Sequence, residues 1–570
     1  MENTQRLEPR WVVLEPQDRA LLQRFRDELN LPMALARVLL NRGIIDVESA
    51  KRFLKPKLSD VHDPFLMADM GDAVELVLGV LHRGGHLMIH GDYDVDGVTG
   101  TALMMLGLRD LGARVSFYVP DRFCEGYGVS RGGIEEASRL GAELIISVDC
   151  GITAVHEVEL ARRLGLQFIV TDHHEPGDTL PDSLILNPKR HDCLYPWKEL
   201  PGVAIAFKFL QGLFRRMGRD PTSLYRYLDL VALGCAADVV PLLDENRVFV
   251  KYGLEQMRAT DNVGLRALLE HVDLYGKDIL MGQVVYTLAP RINAIGRLQH
   301  ARTAVEMFTT NDPEEARRIV ELLETENARR REIDDQTFRE AMQMIEAMDG
   351  AGCESAIVLA SNEWHQGVVG IVAARIVEKV YLPVILIACG GGIGKGSGRS
   401  IPGFDLYQAV HACRDYLVMF GGHKHAAGIT ISQDQIDGFR EAFYDYARAH
   451  LSVNDRVPVL KIDTEIDFGE IDGRFVRLLR YFEPFGQQNM RPNFLSKNLE
   501  VVGTPRIVGT NHIKFKARQN GVVFDCIGFD MGHLLYRLAP GESGLDLVYV
   551  VEENEWHGKK SIQMRLRALR

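Results

Sequence analysis

His86-Leu-Met-Ile-His90-Gly-Asp92-Tyr-Asp94-Val-Asp96-Gly97 is a short apolar run that breaks into three alternate carboxylates and a glycine. Apolar runs of the same kind recur at Val115-Ser-Phe-Tyr-Val119, Leu144-Ile-Ile-Ser-Val148, Phe168-Ile-Val170 and Leu184-Ile-Leu186. Between them, Val98 to Leu111 and Gly132 to Leu140 carry helical periodicity, with Gly112 and Gly141 as stops. Short runs alternating with amphipathic segments predict a parallel α/β sheet from about Leu81 to Pro188. Sites in such sheets form at the carboxyl ends of strands. Asp92, Asp94 and Asp96 follow one run, Asp149 follows a second in Ser147-Val-Asp149-Cys-Gly151, and Asp172-His173-His174 follow a third. A further acid stands in Ala237-Asp238-Val-Val-Pro241.

Any one of these acids could simply cap a strand or helix. Together on one rim they repel unless a cation neutralises them, so the set points to divalent metal and to a metal-dependent hydrolase. A calcium loop is a poorer reading, although Asp92-x-Asp94-x-Asp96-Gly97 copies its first half. Position twelve is Leu103, where a bidentate Glu is required, and a strand precedes Asp92 where a helix should.

At 570 residues the chain exceeds one hydrophobic core and predicts three or four domains. Hydrophobic content of 46% and charged content of 25% exclude a fibrous or largely disordered protein. The start, Met1-Glu-Asn-Thr-Gln-Arg-Leu-Glu8, lacks a leader signature, and Tyr381-Leu-Pro-Val-Ile-Leu-Ile-Ala388 is too short to span a bilayer, so a cytoplasmic location is expected. Eight cysteines without a Cys-x-x-Cys pair read as mostly buried thiols. The net charge of -12 is a sum, and leaves room for a local basic groove.

Pro313 to Met348 holds no glycine and no further proline, follows Asn311-Asp312 and continues with Glu314-Glu315, which predicts one long helix of roughly 50 Å. Its dense charge around Glu326 to Asp335 suggests a solvent-exposed connector. Beyond it, Ala356 to Ala360, Val368 to Lys379 and Pro383 to Ile387 predict a second α/β domain, and the short alternating runs after Val457 predict a small antiparallel barrel. The expected divisions are 1–60, a helical segment; 61–310, the first α/β domain; 311–350, the long helix; 351–452, the second α/β domain; and 453–570, the barrel.

In order, His90-x-x-x-Asp94-x-Asp96, Asp149, Asp172-His173-His174 and Asp238 resemble the motifs of the DHH phosphoesterase superfamily. Gly126-Tyr-Gly128, Ala237-Asp-Val-Val-Pro-Leu242, Arg291-Ile-Asn-Ala-Ile-Gly-Arg297 and Gly421-Gly-His423-Lys-His-Ala-Ala-Gly428 are similar to its branch of single-strand-specific 5′→3′ exonucleases, from about residue 60 onward. Pro484-Phe-Gly-Gln-Gln488-Asn-Met490-Arg-Pro492 departs from that branch, which has Gly and Pro at positions 488 and 490. The resemblance implies a DHH catalytic domain, a DHHA1-like domain and an OB-type barrel that binds nucleic acid. It implies that His90, Asp94 and Asp149 hold one metal, that Asp96, Asp149, His173 and Asp238 hold another with Asp149 bridging, and that His174 contacts the scissile phosphate. Asp92 and Asp172 are then expected to orient ligands. Mixed imidazole and carboxylate donors favour Mn²⁺ over Mg²⁺.

Gly390-Gly-Gly-Ile-Gly-Lys-Gly-Ser-Gly-Arg-Ser400 is not a Walker motif, because Cys389 replaces its first glycine and Gly396 follows the lysine. Its backbone is expected to form a concave anion site. By the resemblance, Ser397 and Arg399, with Arg122, Arg291, Arg297 and His423, would grip a 5′-phosphate, setting mononucleotide release; the alternative is a surface loop with incidental charges. In the barrel, Lys514, Phe515, Lys516 and Arg518 could track phosphates and stack bases, with Phe515 equally readable as core. Expected partners are single-stranded DNA, a single-strand binding protein and a RecQ-type helicase, with no membrane, and the chain is expected to be a monomer. Two other functions stay open, a small-substrate phosphodiesterase acting on oligoribonucleotides or cyclic dinucleotides, and a non-catalytic DNA-binding scaffold.

Overall fold

The computed structural model describes residues 8–15, 18–122, 124–298, 300–348, 355–556 and 559–570. Residues 1–7, read above for a leader, lie outside them. The chain gathers into two compact units, one of Val13–Gly296, His300–Glu321 and Lys461–Arg570, the other mostly Leu322–Leu460.

In the larger unit, strands β1 (His86–His90), β2 (Arg114–Tyr118), β3 (Leu144–Val148), β4 (Gln167–Thr171) and β5 (Leu184–Leu186) form one sheet in the order β2-β1-β3-β4-β5. Every pairing is parallel. β1 and β3 are buried along their whole length, as central parallel strands covered on both faces must be. The crossover helices stop where the sequence says they should, with Gly112 and Gly141 at φ +81° and +68°. Helix α1 (Val95–Asp110) starts within the acidic run, because Asp94 accepts the Gly97 N–H at 3.1 Å and caps it. Two further buried helices, α2 (Gly202–Arg216) and α3 (Leu228–Ala237), pack on α1.

The barrel belongs to this same unit. Its strands β11 (Thr464–Glu465), β12 (Phe494–Val508), β13 (His512–Gln519), β14 (Val522–Gly528), β15 (Ser543–Trp556) and β16 (Lys559–Leu569) run β11-β12-β13-β14-β16-β15, and β12 pairs with β15 to close the ring. The β14–β16 pairing is parallel, so the barrel is mixed and not purely antiparallel as expected. The barrel shares one hydrophobic core with the N-terminal helices, which contribute Phe25, Leu35, Leu39 and Phe53 beside Phe494, Phe515 and Tyr549. Phe515 is therefore core, while Lys516 and Arg518 alternate to the exposed side.

In the smaller unit, β6 (Ile357–Ser361), β7 (Val384–Gly390), β8 (Ile393–Arg399), β9 (Leu417–His423) and β10 (Ala426–Ser432) form a sheet ordered β9-β10-β8-β7-β6, parallel only between β6 and β7. The long helix α4 runs over Pro313–Ala347, with Asp312 accepting the Glu314 N–H at 2.9 Å. Its charge does not all face solvent. Glu326, Asn327 and Asp334 are buried, and Asp334 pairs with Arg375 at 3.0 Å, so part of the charged run is an internal network. Among the described residues no helix is long and apolar enough to cross a membrane, and the seven described cysteines are free thiols, five of them buried.

Candidate metal centre

The acids arrive from the carboxyl ends of β1, β3 and β4 and from two helix ends. Asp96 lies in the first turn of α1, where its two oxygens accept the Gly202 and Val203 N–H groups at 2.6 and 2.9 Å. These are the first amides of α2, so a helix N-terminus aims its donors at this carboxylate. Asp149 follows β3 at φ +63°, a left-handed conformation that a non-glycine residue rarely adopts. Gly202 is required beside it, because a Cβ there would sit 2.6 Å from the Asp149 Cβ. Asp238 caps α3, and the following Val239 has φ +56°.

These side chains meet around His173. Its Nε2 lies 3.1 Å from Asp149 Oδ1, 3.7 Å from Asp238 Oδ2 and 3.9 Å from Asp96 Oδ2. Asp149 Oδ1 nevertheless has no hydrogen-bond partner. Burial, then the neighbouring His174 charge, push the His173 pKa down to about 3, so the imidazole is neutral, as a ligand must be. Ligand atoms of Asp96, His173 and Asp238 lie within 4.8 Å of one another, as do those of Asp92, Asp94 and Asp149. Burial and then neighbouring carboxylates raise Asp92, Asp149 and Asp238 well above the usual range and Asp96 to about 7. A divalent cation removes that penalty. The unpartnered Oδ1 atoms of Asp92 and Asp149 and the neutral His173 fit such an ion, with two ligand sets linked by Asp149, which belongs to one and lies 3.1 Å from His173 of the other.

Asp172 supports its neighbours. Oδ2 accepts the Ile152 N–H at 2.8 Å, and Oδ1 accepts the N–H groups of His173 and His174 and the His174 ring at 2.7 Å. Burial would raise its pKa, but the hydrogen bond and charge of His174 hold it below the usual value. Burial likewise opposes charge on His174, yet Asp172 together with Asp238 and Asp92 carries its pKa up to about 9. Asp92 is placed differently from Asp172. Among the described residues it takes no hydrogen bond from a histidine, and it stands with Asp94 and Asp149. His90 is fully buried below the cluster, accepting the Ser130 N–H on Nε2 at 3.2 Å with Nδ1 unpartnered. A Cβ on Gly133 would come within 2.6 Å of that ring.

Tyr127 is the residue the spacing of acids does not show. Flanked by Gly126 and Gly128, both at φ +89°, its hydroxyl lies 2.8 Å from His174 Nε2. Its ring meets Tyr93 edge-on, and Arg122 lies 5.0 Å over that Tyr93 ring. Arg291 follows a single π-turn, Val284–Leu288, and donates to the Thr287 carbonyl.

The phosphate-gripping residues expected at Arg297, Ser397, Arg399 and His423 fall in the smaller unit. The glycine-rich stretch is not a concave loop. Gly391 and Gly392, at φ +60° and +85°, form a two-residue hairpin turn between β7 and β8. β8 is paired on both sides, so its amides are spent in ladders. Gly394, Gly396 and Gly398 leave room for Ile387, Ile429 and Ile385, and this period of two was the overlooked strand signal. Register places Gly428 beside Ser397 with Gly421 one strand further out, and Ala426 beside Arg399 with His423 one strand further out, with open space above both glycines. Arg399 donates to Ser397 Oγ at 3.1 Å, and Arg297 donates to the Gly367 carbonyl at 3.2 Å.

Three family models match the chain: the DHH family N-terminal domain over residues 86–235, the DHHA1 domain over 354–449 and the RecJ OB domain over 462–568. The chain is 38% identical over 566 residues to the single-stranded-DNA-specific exonuclease RecJ of Bacillus subtilis, covering 98% of this chain and 70% of that one. Thermus thermophilus RecJ in complex with Mn²⁺ superimposes with a TM-score of 0.84 at 32% identity, covering 98% of this chain and 79% of that one. The same organism's RecJ in complex with Mg²⁺ gives a TM-score of 0.79 at 30% identity, covering 98% and 78%.

Proposed function

From its membership in the RecJ family of single-stranded-DNA-specific exonucleases, to which this chain belongs, we propose that it removes 5′-mononucleotides from single-stranded DNA in the 5′→3′ direction, in recombination and repair. The chain is a metal-dependent hydrolase of the DHH type. The observation that carries the site is the approach of a neutral His173 Nε2 to 3.1 Å of a buried, unbonded Asp149 oxygen, a pair of donors that a shared cation accommodates. We assign Asp92, Asp94 and Asp149, with His90 as a further ligand once its ring gives up the Ser130 bond, to one ion, and Asp96, Asp149, His173 and Asp238 to the other. When bound, manganese or magnesium supplies Lewis acidity and lowers the pKa of a water molecule.

The chain's own residues do the rest. Asp172 fixes the His174 ring and keeps it cationic, so that a scissile phosphate meets a charged N–H where the Tyr127 hydroxyl now lies. The α2 amides hold Asp96, and Gly202 lets Asp149 sit close against that helix. Ser397, Arg399 and His423 share a glycine-floored face suited to a phosphate, and Arg297, Arg122 and Arg291 are each proposed as separate contacts to DNA. On the barrel, Lys516 and Arg518 are placed to follow the backbone. A single-strand binding protein and a RecQ-type helicase are the proposed partners, to be read by co-sedimentation with the purified chain.

The test is release from a long 5′-phosphorylated single strand with an internal label in Mn²⁺, beside 3′-blocked and 5′-blocked copies. Mononucleotide release that survives the 3′ block and stops at the 5′ block supports the reading. Hydrolysis of dinucleotides alone would replace it with a small-substrate phosphodiesterase.

A further inference from the structure

The end of the helix Val47–Leu54, the helix Asp244–Met257, the helix Gly473–Leu479 and the turn Arg480–Phe482 enclose a cavity of about 500 Å³, wholly inside the larger unit. None of its residues belongs to the carboxylate cluster. Its wall carries Lys251, Arg474, Arg477 and Arg480 against one acid, Glu483. Arg480 is ion-paired with Glu553. Arg474 spends its donors on the Asn30 carbonyl and side-chain amide, at 2.6 and 2.8 Å, neutral acceptors that leave its charge uncancelled. Among the described residues, no carboxylate comes within ion-pair distance of Lys251 or Arg477. In a chain of net charge -12, this concentration of unbalanced cations inside a concavity focuses a positive potential.

The rest of the wall is apolar and includes the Tyr481 ring, which is 44% exposed and has the Lys55 ammonium 5.4 Å from its centroid. Arginine forks match phosphate oxygens two at a time, and an open aromatic face beside them accepts a heterocyclic base by stacking. A carboxylate-rich peptide would satisfy the cations but give the ring nothing flat to stack on. We propose that this cavity is a second nucleotide site, taking a phosphate on Arg474, Arg477 and Lys251 and a base on Tyr481. The nucleotide comes either free or as one unit of a DNA strand.

Binding is measured on the full chain in EDTA, where no turnover occurs, so the result is independent of the nuclease assignment. The probes are 5′-dAMP by calorimetry and a labelled twenty-residue oligothymidylate by anisotropy. The double variant Lys251→Glu/Arg477→Glu should weaken one of them at least tenfold, and Tyr481→Leu at least threefold, while Mn²⁺-dependent hydrolysis of a dinucleotide stays at the parent rate. Loss for dAMP identifies a free-nucleotide site. Loss for the oligonucleotide alone, with a smaller salt slope, identifies a strand anchor. Unchanged binding of both probes overturns the proposal, as does loss only for a glutamate-rich peptide. If charge reversal lowers the melting temperature, Lys251→Gln/Arg477→Gln makes the same reading.

Discussion

Replacing Arg247 by Met tests how the barrel entry is fixed to the catalytic part of the larger unit. The guanidinium is 1% exposed and has no carboxylate in contact. It donates to the main-chain carbonyls of Phe53, Tyr481, Phe482, Glu483 and Pro484 at 2.7 to 3.2 Å, and lies 4.1 Å from the Phe53 ring centroid. Asn489 also donates to Phe482 and Pro484, so those two acceptors keep a partner in the variant. The carbonyls of Phe53, Tyr481 and Glu483 lose theirs. An orphaned buried acceptor, here Phe53, costs about 1–3 kcal/mol, and the part-buried Tyr481 and Glu483 carbonyls, which water can reach, cost less. Part is returned because the guanidinium no longer has to be buried, a strain visible in its pKa, which burial pushes down to about 9. The net loss should be about 2–4 kcal/mol, or roughly 30- to 1000-fold in hydrogen-exchange protection. Exchange should be read on the metal-free chain in segments 47–54 and 473–484. Arg247→Lys, with fewer donors and no planar fork, should fall between the two. Protection within fivefold of the parent in Arg247→Met would refute the claim that these carbonyls depend on one side chain.

Asp149→Asn should cut metal-supported exonuclease activity by at least about a thousandfold and abolish the rise in melting temperature that Mn²⁺ gives the parent, as both proposed ligand sets share this carboxylate; a retained shift would remove Asp149 from the site. Gly202→Ala should keep the fold but lower metal affinity at least tenfold, measured by Mn²⁺ titration, because its Cβ would press on Asp149 at 2.6 Å. Asp229 is buried, and burial raises its pKa from 3.8 to about 6 against the bonds from Thr260 and Leu230. A raised folded-state pKa means its stabilising contribution is full below about 3.8 and lost as pH rises through about 6. Asp229→Asn should therefore be more stable than the parent by up to about 3 kcal/mol at pH 8 and indistinguishable near pH 4; an equal gain at both values in urea unfolding would show that ionisation is not the cause.

What could be read from the sequence was what neighbours in sequence determine. Strand, turn and cap signals within a dozen residues placed Asp92 to Asp96, Asp149 and Asp172 to His174 at adjacent strand ends, and the comparison with solved structures agrees with that fold. The same signals also misled where their period was taken for composition. Glycine at 394, 396 and 398 alternates because this strand makes room for isoleucines, a period that glycine content alone does not show.

The remaining features depend on residues far apart along the chain. Asp96 is held by amides 106 residues away, Arg247 by carbonyls more than two hundred residues away, and the N-terminal helices bury their apolar faces in a barrel that begins beyond residue 460. No local pattern encodes such pairings, since a helix N-terminus looks the same whether it faces water or a carboxylate. His90 shows the limit most clearly. Its motif position implies a ligand, but only the fold reveals that Nε2 is already engaged by Ser130 and that Nδ1 alone is left unpartnered. With Nε2 accepting from Ser130 the neutral ring carries its proton on Nδ1, so binding a metal through either nitrogen requires that bond to be given up, and substitution of Gly133, whose missing side chain makes room for the ring, should disturb the centre without touching any carboxylate.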